Sequence, residues 1–138
     1  MGGYYSLRFT AALTSEGERK VRTLLHSGSW EGVHASFAEM DRSHFIPFGG
    51  LANAPDGWEQ ARDVQIVGLT PAWHVCCSIK TNTDITVHYF MDHVLSRLIA
   101  LPTKVEWYSE VTDVSRVFFV HPDGQVVEVL ESQQQPTS

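Results

Sequence analysis

The sequence is poor in cysteine, in charge and in the short motifs that carry catalysis. Its two cysteines are neighbours, Cys76 and Cys77. Successive side chains of an extended strand point to opposite faces, so a bridge between them would need strained geometry. No intrachain disulfide is expected, and a reducing cytoplasm suits the chain better than secretion. Charged residues make up only 19% of the chain, against 43% hydrophobic and 11% aromatic, which is the composition of a folded domain and not of a disordered one. Basic residues are outnumbered, 10 Lys and Arg against 16 Asp and Glu, for a net charge of -6, and no basic cluster exceeds Arg19-Lys20. Such a surface repels phosphate backbones, so direct nucleic-acid binding is disfavoured. No apolar run is long enough to cross a bilayer and no hydrophobic leader opens the sequence, so no membrane association is expected. Met1-Gly2-Gly3-Tyr4-Tyr5-Ser6 fits the loose myristoylation pattern, but the plainer reading is the lead-in to a strand. There is no P-loop, dinucleotide fingerprint or glycine-flanked nucleophile, so no catalytic set and no cofactor is assigned.

What the sequence does contain is clear periodicity. Tyr5, Leu7, Phe9, Ala11 and Leu13 alternate with smaller or polar residues, the pattern of a half-buried strand. Ser15 and Glu18 have capping-box spacing, Val21, Leu24 and Leu25 give a helical stripe, and Gly28 suits its C-terminal cap. Trp30, Val33, Phe37 and Met40 repeat at helical spacing, although Gly32 weakens that segment. Residues 62–69 and 73–80 read as strands, the latter alternating Trp73, Val75, Cys77 and Ile79 with His74, Cys76, Ser78 and Lys80. A long amphipathic helix follows, with Val87, Met91, Val94, Leu95, Leu98 and Leu101 spaced by three and four, ending at Pro102. Val105, Trp107 and Val111 open a further strand, and His121-Pro122-Asp123-Gly124-Gln125 predicts the turn of a final hairpin between residues 116–121 and 125–131.

At 138 residues the chain suits a single domain, residues 1–131, with a polar, glutamine-rich tail over 132–138. The element order predicts an α+β fold: an antiparallel sheet with the ferredoxin-like βαββαβ split motif, a C-terminal β-hairpin, and helices packed on one face. The other sheet face, carrying Arg8, His74, Cys76, Lys80, Glu106 and Tyr108, is polar enough to meet water.

The candidate sites are few. His74 and Cys76 share a strand face and are metal-ligand types, yet no second matching pair completes a zinc site, so no metal is assigned. The same two residues have the makings of a Cys-His nucleophile pair, without the glycine-rich elbow or helix terminus that would activate a thiol. Asp84, His88 and Asp92 form one stripe on the long helix, where a capping Asp84 and a solvated boundary pair are the simpler reading. Residues 44–58 have no period and hold Phe45, Phe48 and Trp58, the residue types that anchor interfaces or plug the open end of a core.

From these the expectation is a small acidic cytoplasmic protein that acts by binding another macromolecule. An inhibitor, immunity or accessory protein, of the kind phages and mobile elements encode, fits its size and charge. The partner would be a protein, basic or itself nucleic-acid-binding, met through Phe45, Phe48 and Trp58. The alternative is a small enzyme or ligand-binding domain with a pocket on the open sheet face lined by Arg8, His74, Cys76 and Tyr108. A homodimeric α+β barrel is one form of it.

Overall fold

The computed structural model describes residues 3–27, 51, 54–61, 63–81, 85–110 and 112–129. Among these, β1 (Gly3–Ala12) leads into α1 (Ser15–Ser27), then come β2 (Val64–Val67) and β3 (Thr70–Thr81). A helical segment follows as α2 (Ile85–Tyr89), a π turn (Phe90–Val94) and a 3-10 turn (Leu95–Arg97). Strands β4 (Thr103–Ser109), β5 (Val114–Val120) and β6 (Val126–Val129) complete the chain. The predicted helix around Trp30–Met40 and the polar tail lie outside the described residues.

The strands form one six-stranded sheet in the order β2-β3-β1-β4-β5-β6, and every pairing is antiparallel. β1 is central. It pairs with β3 from Gly3↔Thr81 to Ala12↔Ala72 and, on its other edge, with β4 from Tyr5↔Ser109 to Phe9↔Val105. Its odd-numbered residues Leu7, Phe9 and Ala11 enter the core with Trp73, Val75 and Cys77 of β3 and Val105 and Trp107 of β4. Val21 and Leu24 of α1 join the same cluster, as do Val87, Phe90, Met91, Val94, Leu95 and Leu98 of the second helical segment. The fold is therefore α+β, with both described helices on one face of the sheet.

Several boundaries differ from those the periodicity predicts. The cap of α1 sits one residue earlier than the Ser15–Glu18 spacing suggests: Thr14 Oγ1 accepts the Gly17 backbone N–H at 2.9 Å. The second helix does not run to Leu101. It widens at Phe90–Val94, tightens at Leu95–Arg97 and stops, and Ser96 Oγ donates to the Asp92 carbonyl at 2.9 Å. Leu98 closes the turn, and the chain then pairs with the end of β1: Thr14 N–H donates to Leu98 O, Ala100 N–H donates to Ala12 O, and Ile99 bridges Leu13. Pairing with the end of β1 thus satisfies backbone groups that a longer helix would have used internally. The predicted 116–125 hairpin is present. Gly124 adopts φ +98°, its N–H donates to His121 O, and Asp123 Oδ1 takes the Gln125 N–H, each bond at 2.9 Å.

The close approach of α1 to the Leu98 turn depends on Gly17. A Cβ at that position would overlap the Leu98 carbonyl oxygen and come within 2.9 Å of its carbonyl carbon. The contact is backbone to helix, so no side-chain rotation relieves it. Gly17→Ala should therefore destabilise the fold by about 1–3 kcal/mol despite alanine's higher helix propensity. The denaturant midpoint checks this, and an unchanged or raised midpoint would mean that α1 does not sit this close. No described helix is long and apolar enough to cross a membrane.

Candidate functional site

The sheet face turned away from the helices collects most of the chemistry-bearing side chains. Register places Arg8 opposite both Cys76 and Glu106, Thr10 opposite His74, and Ser6 opposite both Ser78 and Tyr108. Even-numbered residues of β1, β3 and β4 therefore share this face, as alternation predicts.

At its centre Arg8 donates two hydrogen bonds to Glu106, Nε to Oε1 at 2.8 Å and Nη2 to Oε2 at 2.9 Å. This is the bidentate fork that planar guanidinium and carboxylate groups favour. Trp58 lays its ring against the same guanidinium, 4.6 Å from centroid to Cζ. The pair shifts both groups in the expected sense. The hydrogen bond to Arg8 holds the Glu106 carboxyl below the usual range, and that to Glu106 raises the Arg8 guanidinium. Each side chain is about one-third exposed, so solvent screens much of the interaction.

The expectation that this face is open to water needs correction. Ser6 is fully buried, and Cys76 and Ser78 are nearly so. The Ser6 and Ser78 hydroxyls satisfy each other at 2.7 Å. Ala61 exchanges two backbone hydrogen bonds with Cys76, at 2.8 and 3.1 Å, and Asp63 O accepts the His74 N–H at 3.0 Å. The segment leading into β2 therefore lies along β3, and its Trp58 reaches over the sheet onto Arg8. Alternation predicts which face a side chain takes, but a segment distant in sequence decides whether water reaches it.

His74 and Cys76 are brought onto one face. Burial pushes the Cys76 thiol up, and the nearby Arg8 cation only partly opposes this. Cys77 points into the core, where burial pushes its thiol up to about 12. Both shifts favour the protonated thiol, the poorer nucleophile. His74 Nδ1 lies 3.1 Å from Thr10 Oγ1, while its Nε2 is buried without a hydrogen-bond partner among the described residues. Among the described residues no three His, Cys, Asp or Glu side chains gather as a metal site would require. Tyr108 is on the same face but is spoken for. Its hydroxyl donates to Asp113 Oδ1 at 2.7 Å, and that bond keeps the phenol protonated to higher pH. Asp113 itself takes φ +54° in the turn between β4 and β5, a conformation aspartate tolerates better than most residues.

Of the proposed interface aromatics, Phe45 and Phe48 lie outside the described residues, as does Asp84. Trp58 is half-buried on the outer sheet face, against Arg8. The helical stripe divides: the His88 ring packs edge-on to Trp107 at 5.0 Å, whereas Asp92 and His93 face an open cleft. That cleft, about 450 Å³, is also lined by Ser96, Arg97, Pro122, Asp123 and Gly124. Serine, histidine and aspartate meet here, yet Ser96 Oγ is committed to the Asp92 carbonyl and is buried, so the set does not make a hydrolytic triad.

No family model matches the chain, and neither the curated proteins nor the solved structures yielded a significant match. What the fold defines is an α+β protein built on a six-stranded antiparallel sheet.

Two outcomes follow from the outer face. A thiol reagent at pH 8 should label neither cysteine in the folded protein and both after denaturation; fast labelling of Cys76 in the native state would contradict its burial. Glu106 is depressed in the folded state, so its contribution to stability is fully present above the ordinary carboxylate value of about 4.3 and is lost as pH falls below it. The melting temperature of Glu106→Gln should then decline less steeply than wild type between about pH 5 and pH 3. Parallel curves would show that the ion pair adds nothing.

Proposed function

We propose that this chain is a small acidic protein that acts by binding another macromolecule, without catalysis, in the manner of an inhibitor, immunity or accessory protein. The observation that carries this reading is the tip of the β2–β3 hairpin. Leu69 is 100% exposed there, and Ile66 nearby is 56% exposed. Gly68, at φ +64°, makes the tight turn that projects Leu69 outward. Large apolar side chains held in water at a tight turn are stabilised when a partner covers them. The net charge of -6 favours a partner with a basic surface, including a nucleic-acid-binding protein. Phe45, Phe48 and Trp58 belong to the same proposal as further anchors. Cytoplasmic residence also belongs to it, since both thiols are free and buried.

The alternative, a ligand pocket on the outer sheet face lined by Arg8, His74, Cys76 and Tyr108, has one observation in its favour, the unpaired and buried His74 Nε2. Against it stand the engagement of Arg8 by Glu106 and Trp58 and of Tyr108 by Asp113. The half-buried Trp58 on that face also leaves little room for the two-sheet barrel of a homodimer.

We also propose that β1 to β4 with their two helices form the ferredoxin-like split motif, β5 and β6 being the added hairpin. The order β2-β3-β1-β4 supports it, because β1 lies between β3 and β4 while β3 lies between β1 and β2. Right-handed crossovers through α1 and through the second helical segment are then expected. An experimental structure with either crossover left-handed would refute the assignment.

Binding is tested with the tagged full chain and its Leu69→Asp variant. Wild type should retain a basic protein partner from its native cell, and Leu69→Asp should weaken that interaction about tenfold or more while leaving the melting temperature unchanged. Equal binding by both proteins would remove the hairpin tip from the interface. Stabilisation by a metabolite in a thermal-shift panel, with no protein partner, would favour the pocket instead.

A further inference from the structure

Two polar atoms in the core do not have the partners that buried polar atoms ordinarily find. Trp107 and Ser109 lie two residues apart on the helix-facing side of β4 and are 1% and 6% exposed. Trp107 Nε1 and Ser109 Oγ are both buried without a hydrogen-bond partner among the described residues. The indole is surrounded by groups that contact its ring and offer its N–H no acceptor. Tyr5 meets it edge-on at 5.7 Å, His88 at 5.0 Å and Phe118 at a tilt at 5.1 Å, and the Arg116 guanidinium lies 5.0 Å from the ring centroid. Ser109 stands in register with Tyr5 on one side and Val114 on the other. Leaving an N–H donor and a hydroxyl unpaired in the core costs about as much as losing their hydrogen bonds, so native proteins seldom do so.

We infer that Trp107 and Ser109 form a built-in hydration site, a single ordered water buried on the helix-facing side of β4. The water accepts from Trp107 Nε1–H and exchanges a hydrogen bond with Ser109 Oγ, which can donate or accept. The spacing permits it. Two residues of antiparallel strand rise about 6.8 Å. Two hydrogen bonds through one water span at most about 5.8 Å, so the two side chains must lean toward each other on the face they share. Buried waters of this kind hold otherwise unsatisfied polar groups and are retained as part of the fold. The site also accounts for a polar pair at this end of β4, where Val105 and Thr103, the latter bonded to Leu101 O at 3.1 Å, fill the same face without an orphan atom.

The experiment is solution NMR on the nitrogen-labelled full chain, with Trp107→Phe used only to assign the Trp107 indole signal among those of the 4 tryptophans. The Trp107 Nε1 proton should show a cross-relaxation peak to a long-lived water. Ser109→Ala should weaken that peak and lower the melting temperature by roughly 3–5 °C, because the water loses a partner. Absence of the water peak in wild type, or a rise in melting temperature for Ser109→Ala, would overturn the site: either result means that the hydroxyl sits dry and that its removal relieves a penalty.

Discussion

The structure depends on β1 being hydrogen-bonded along both edges. A central strand has no free backbone groups to offer water, so its position is fixed by the strands either side, and here those strands come from far along the chain. The register of β1 against β3 sets which side chains of Trp73–Thr81 face the helices. The register against β4 sets the place of Trp107. Leu7, Phe9 and Ala11 are then buried almost completely, and both helices pack over that row. The end of β1 is held as firmly as its middle. Leu13 meets Pro71 O on one side and Ile99 on the other, and Thr14 both caps α1 and bonds Leu98. Gly17 is the consequence: with the chain drawn in at Leu98, only a residue without Cβ fits.

The irregular second helix follows from the same constraint. Its apolar residues cover more of the circumference than one sheet contact needs, yet Val87, Phe90, Met91, Val94, Leu95 and Leu98 are all fully buried. A regular α-helix would carry part of that arc away from the core. A π turn adds a residue to one turn and so changes the angular phase of everything after it. The tighter 3-10 turn then ends the helix early, which leaves Leu98–Ala100 free to pair with the end of β1. Leu101, beyond that pairing, remains 60% exposed.

The outer face shows how a polar surface is quieted. Arg8 and Glu106 neutralise each other, Ser6 and Ser78 share a hydrogen bond, and Trp58 caps the guanidinium. At the far side of the sheet Arg116 repeats the arrangement on the helix face: it forks onto Glu128 at 2.8 and 2.9 Å while lying over Trp107 and Phe118. In both places a cation is held flat by a carboxylate and an aromatic ring, which fixes a long side chain. Such pairing holds the face together, whereas Leu69 at the β2–β3 turn is left fully exposed.

The alternation of β1 and β3, the existence of α1 and the second helix, the turn at Pro122-Asp123-Gly124 and most of the core residues are legible in the chain alone, because period and turn chemistry are local properties. Alternation also placed Arg8, His74, Cys76 and Tyr108 on one face. The pairing of Arg8 with Glu106, the place of Trp58 against it and the burial of Cys76 and Ser78 arise only when the strands assemble. Those outcomes depend on register between strands nearly seventy or a hundred residues apart. The helix that ends at Arg97 instead of Leu101 has the same origin. Apolar spacing sees only the helix, whereas the competing hydrogen bonds come from Ala12 and Thr14, which lie close to it only once the sheet has formed.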